Sequence, residues 1–160
     1  MQQPYDYSRL MAVICKAIKD KTGTSCVEAN SVGPKPSYPF FTWDFVNAHQ
    51  DIGSTDNTDE EVFEASIMFE AHSESATQAL NLASWVRKLF ATEYMDQLSA
   101  QNSFYVIERG DITDTNNIIS VQIERRAGVQ VDLRIKDTFK DDITPIETIE
   151  INGTPITKKD

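Results

Sequence analysis

The chain has 160 residues, 40% of them apolar and 25% charged, and a formal net charge of −10. A single domain of this length buries about 70% of its unfolded surface, so folding requires neither a metal nor a disulfide. The acidic balance argues against tight binding of nucleic acid, which rests on clustered Lys and Arg, and against an anionic membrane surface.

The first twenty residues lack a basic region leading an apolar core. No apolar run approaches the ~18–20 residues of a membrane span. The chain is therefore expected to be made and kept in a cytoplasm, with Cys15 and Cys26 buried and reduced.

Residues 6–22 read as a helix with Asp6 as N-cap and Gly23 at its stop. Leu10, Val13, Ile14, Ala17 and Ile18 form its apolar face. A short strand is expected over 25–30. Pro34, Pro36 and Pro39 then exclude helix and central strand. Residues 40–47, "FFTWDFVN", read as a strand, 50–61 as a polar acidic loop and 62–73 as a second strand, together a hairpin over about 40–72.

One long helix is predicted from about 76 to 98, opened by a Ser75/Gln78 capping box. A short strand follows at 104–108, then a polar loop at 110–117. From Ile119 the odd residues are apolar: Ile119, Val121, Ile123, then Val129, Val131, Leu133 and Ile135. A three-residue loop at Arg126-Ala127-Gly128 preserves that parity, with Gly128 supplying a left-handed residue. A single strand of ~17 residues preserves it too, but strands usually run 3–10 residues, which favours the hairpin. In the tail, Asn152-Gly153 is a preferred turn pair, and Ile149, Ile151 and Ile156 suggest a small hairpin or an extended arm.

This order predicts an α+β fold: a mixed, mostly antiparallel sheet with two helices packed on one face, plus an extended hairpin and a C-terminal arm. Residues 1–142 are expected to form one domain and 143–160 the arm.

No phosphate loop, GxSxG or HExxH occurs. His49 and His72 are placed to meet across the hairpin, joined by Asp44 or Asp51, but a metal site needs a further matching ligand. They read as polar residues near a loop. The acidic run Asp51, Asp56, Asp59, Glu60 and Glu61 lacks calcium-loop spacing and reads as a solvated loop. No catalytic residue, cofactor or metal is expected.

Three segments in order carry a resemblance: "YPFFTWDFVN" (38–47) after the proline break, a helix opening Ser-Glu-Ser-Ala (73–76), and "IERRAGVQVDLRIK" (123–136). Over about residues 8–150 the chain resembles the tail-terminator or neck proteins of tailed bacteriophages. The last ten residues have no counterpart in that resemblance. It implies a structural virion protein at the top of the tail, assembled in the host cytoplasm as a ring, expected to be hexameric. Such a ring caps the tail tube protein and meets a head-completion or connector protein, while DNA passes through its lumen without specific binding. Six copies at −10 each carry about −60, which suits a lumen through which DNA slides.

A ring contact joins two different patches. Arg125, Arg126, Asp132, Arg134 and Lys136 form the expected mixed-charge patch. The acidic loop 51–61 or Glu64 and Glu70 of a neighbour would be its counterpart. The alternatives are a head-completion or connector-adaptor subunit on the portal side, and a non-viral soluble α+β binding domain.

Overall fold

In a computed structural model, residues 3–54, 56–116 and 124–143 are described, together with the backbone of 149–151 and 154–156. Helix α1 spans Tyr7–Thr22. Asp6 accepts hydrogen bonds from the Ser8 and Arg9 amides, and Gly23 closes the helix at φ 72°, a left-handed conformation that glycine adopts without strain. Strands β1 (Cys26–Glu28), β2 (Phe40–Asp51) and β3 (Val62–Ser73) follow. Then come helices α2 (Ala76–Leu89) and α3 (Glu93–Gln101) and strands β4 (Phe104–Asp114) and β5 (Arg125–Lys136).

The five strands form one sheet in the order β1-β2-β3-β5-β4. Only the β1–β2 pair is parallel. The α+β class is as the sequence predicts. Alternation explains the core: Phe63, Ala65, Ile67, Phe69 and Ala71 of β3 and Ala127, Val129, Val131, Leu133 and Ile135 of β5 share one face and are buried. Leu10, Ile14 and Ile18 of α1 and Ala79, Ala83, Val86 and Leu89 of α2 close over them. A short ladder, β6 (Ile149–Ile151) with β7 (Thr154–Ile156), makes a separate two-stranded sheet.

The structure corrects three local expectations. The predicted 76–98 helix is two helices. Thr92 ends the first by donating to the Leu89 carbonyl at 2.7 Å and starts the second by accepting from the Met95 amide at 3.3 Å. Ser75 caps α2 as predicted, its Oγ accepting from the Gln78 amide at 3.4 Å, while the return half of the box runs through Ser73, whose Oγ accepts from the Ser75 amide at 3.0 Å and donates to Gln78 Oε1 at 2.5 Å.

The expected turn at Arg126-Ala127-Gly128 does not exist. Those residues lie within β5, opposite His72, Ala71 and Glu70. The partner strand assigned to 119–123 lies outside the described residues. A Cβ at Gly128 would meet Met68 Sδ at 3.1 Å, a tight contact that the Met68 side chain would have to shift to relieve. Residues 110–114, read as loop, complete β4.

Candidate interaction face and polar cluster

Among the described residues, no helix covers the second face of the sheet. It carries Glu64, Ser66, Met68, Glu70 and His72 from β3 and Arg126, Gln130, Asp132, Arg134 and Lys136 from β5. These are the even residues, placed there by the same alternation that buries the odd ones. Arg126, Asp132, Arg134 and Lys136 of the expected patch lie on this face, with Glu64 and Glu70 beside them in β3, whereas Arg125, opposite buried Ser73, has the parity of the other face.

Register decides how these charges meet within one chain. Glu64 is directly opposite Arg134, and Arg134 donates to Glu64 Oε1 at 2.6 Å. Lys136 Nζ lies 3.9 Å from Glu60. Glu70 accepts from the Thr115 hydroxyl at 2.8 Å, and Asp132 from the Gln130 amide at 3.0 Å. Such part-exposed pairs contribute about 0–1 kcal/mol each and hold their side chains only loosely.

One end of this face is different. His72 is 5% exposed and Thr42 9%. Thr42 Oγ1 lies 2.7 Å from His72 Nε2, and His72 Nδ1 meets Glu124 Oε1. With its proton on Nδ1, the imidazole donates to Glu124 and accepts from the Thr42 hydroxyl. Glu124 also accepts from Arg126 Nε at 2.7 Å and from the Tyr38 hydroxyl at 2.9 Å. Phe40 stacks on the His72 ring with centroids 4.6 Å apart.

In an enzyme the order hydroxyl, imidazole, carboxylate activates a nucleophile. Here the carboxylate is also bound by Arg126 and Tyr38. The cluster joins the segment after the prolines, the end of β3 and the start of β5. Beside it lies a hollow of about 340 Å³ bordered by Lys35, Phe40, Met68 and Arg126.

Burial alone would raise the Glu124 carboxyl, but hydrogen bonds from Arg126, His72 and Tyr38 outweigh it and bring its pKa down to about 2. Burial lowers the His72 pKa, and the Glu124 contact only partly offsets it. Both folded values lie below the unfolded ones, so the unfolded chain takes up each proton first on acidification. Stability should fall as pH drops below about 6.5 through His72, then again from about 4.5 towards 2 through Glu124. Glu124→Ala should cost about 2 kcal/mol, a Tm decrease of about 4–8 °C at neutral pH. It should also remove the lower acid step. Thermal melts across pH test this, and an unchanged profile would mean that the cluster does not stabilise the fold.

The two histidines do not meet. His72 pairs with Phe40 at one end of the β2–β3 hairpin, and His49 lies at the other, where Asp51 faces Phe63. Asp44 joins neither, being opposite Met68. His49 Nε2 lies 3.1 Å from Asp51 Oδ1 and 3.2 Å from Glu61 Oε1. Among the described residues, His49, Asp51 and Glu61 form a group that could hold a metal ion. A closed structural zinc site takes four protein ligands, and the Asp51 side chain is 80% exposed. The distances are those of ordinary hydrogen bonds.

The sequence reading missed Tyr38, Thr42 and Glu124, and took His72, at the end of the 62–73 strand, for a polar residue near a loop. The even parity that Thr42 shares with Phe40, and His72 with Glu70, was the available signal.

A mixed, mostly antiparallel sheet with helices on one side and, among the described residues, a charged face on the other defines an α+β protein. Residues 9–160 match the family described as phage neck terminator protein, and the chain belongs to that family. It is a structural component of the phage neck and hence of the virion. Membership implies contacts with other phage tail and head proteins, and it sets aside the non-viral reading. The match includes the last ten residues, to which the sequence resemblance had assigned no counterpart. No curated protein matches the chain. No helix among the described residues is long and apolar enough to cross a membrane.

Proposed function

We propose that this chain is the tail terminator itself: a closed ring, hexameric by expectation, that caps the tail tube and joins the tail to the head. The family match over residues 9–160 carries this reading. The open sheet face supports it, because a ring subunit needs a broad surface beyond its own core. Head-completion or connector protein meets the side away from the tube, and DNA passes through the acidic lumen without being gripped. The protein acts by shape and contact and uses no cofactor. Residues 1–142 form the ring-building body, with 143–160 as its arm.

The patch of Arg125, Arg126, Asp132, Arg134 and Lys136, with Glu64 and Glu70, is proposed to lie in the contact between subunits. Arg126 is an unsuitable test position, because it also holds Glu124 within the chain. Arg134 and Lys136 are about half exposed, so reversing them disturbs the monomer little. Arg134→Glu with Lys136→Glu should leave the Tm within a few degrees and strongly reduce ring formation in native mass spectrometry. Desolvated interface pairs cost several kcal/mol when one partner is lost. Normal ring formation by the doubly reversed chain would show that the patch is a solvated face and not a contact.

A further inference from the structure

The connection between α1 and β1 sets two thiols against each other. The Gly23 amide closes α1 onto the Lys19 carbonyl at 2.8 Å, and the Ser25 carbonyl accepts from the Phe41 amide at 2.8 Å. One end of the turn is thus fixed to the helix and the other to the sheet. Cys15, in the third turn of α1, and Cys26, the first residue of β1, both pack against the core. The sequence reading expected both to be buried. Each is instead half-buried, and both line a groove of about 700 Å³ between α1, β1 and β2. They are free thiols, hydrogen-bonded to each other.

The pair is asymmetric. The hydrogen bond from the Cys26 thiol holds the Cys15 pKa below its ordinary value, although burial opposes it. The same bond, together with burial, raises Cys26. Cys15 is therefore the better nucleophile, and Cys26 is placed to react with whatever Cys15 has bound. β1 is the strand with most to gain from a cross-link. It is three residues long and, among the described residues, pairs only with β2.

We propose that Cys15 and Cys26 form an oxidisable lock, which a small disulfide converts to an intrachain disulfide tying α1 to β1. In the first step the Cys15 thiolate attacks one sulfur of the reagent RSSR. The bond from Cys15 Sγ to that sulfur forms, the reagent's S–S bond breaks and RS⁻ leaves. In the second step the Cys26 thiolate attacks Cys15 Sγ, the protein disulfide forms and a second RS⁻ leaves. The protons lost by the two cysteines go to the two RS⁻. The protein is oxidised by two electrons, and the reagent is reduced to two RSH. Glu28 and Asp44 also line the groove, so it repels an anionic reagent such as glutathione disulfide and favours a cationic one. A reducing cytoplasm keeps the pair as thiols, and a virion that has left the cell meets oxidant. The lock lies within one chain and stands apart from ring formation.

Full-length protein treated with cystamine at neutral pH should lose two hydrogens in mass, with no reagent left attached. Peptide mapping should find Cys15 joined to Cys26. The oxidised chain should melt about 5–10 °C above the reduced one, and dithiothreitol should reverse the shift. Cys26→Ser should stop at a stable mixed disulfide on Cys15. Reagent attached to both cysteines of the native chain, links between chains, or thiols left untouched would overturn the proposal. A Cys15–Cys26 link that leaves the Tm unchanged or lowers it would overturn the lock as well.

Discussion

A phage lacking this chain should accumulate DNA-filled heads beside unattached tails, many of them longer than normal. A tail tube is a stack of like rings, and each added ring presents the same free end to the next. Growth stops only when something binds that end without recreating it. A closed ring with one side fitted to the tube and the other to the head-completion protein has that property. Adding the purified protein to mutant tails of normal length should restore joining to heads. Electron micrographs of the mutant lysate decide the matter. Tails of normal length joined to heads would rule out termination, and empty heads beside normal free tails would place the chain on the portal side.

Ile67→Asp should abolish folding, whereas Ile107→Asp should change stability by only about 0.5 kcal/mol. Both isoleucines lie in strands. Ile67 is fully buried in central β3, opposite Phe45 on one side and Val131 on the other. A carboxylate there gains no partner and loses its water, at a cost of several kcal/mol that a marginally stable domain cannot absorb. Ile107 lies in edge strand β4, 45% exposed, at a register shift between Val106 and Glu108. Soluble yield and circular dichroism melts would test the contrast. A folded Ile67→Asp chain would show that the core at β3 tolerates rearrangement.

The sequence by itself determined whatever a local period can report. Asp6 and Gly23 delimit α1 as predicted, because caps act within one turn. The apolar alternation of β3 and β5 shows which side of each strand is buried, whereas the unbroken parity through Ala127 fits a three-residue hairpin loop and a continuous strand alike, and the structure has the strand. The order of the segments around 38–47, 73–76 and 123–136 was enough for the resemblance that the family match bears out.

Only the tertiary structure decided what depends on register between distant segments. The helix break at Thr92 was not legible because the apolar stripe continues across it, and only one hydroxyl ends one helix and starts the next. A strand has two faces whatever lies beside it, so no local pattern could say that Glu64 would be opposite Arg134 within the chain. Nor could it say that Tyr38, Thr42, His72 and Glu124 would converge while His49 lay at the far end of the same hairpin. Those pairings follow from sliding whole strands until every buried side chain fits, a condition set by the entire core.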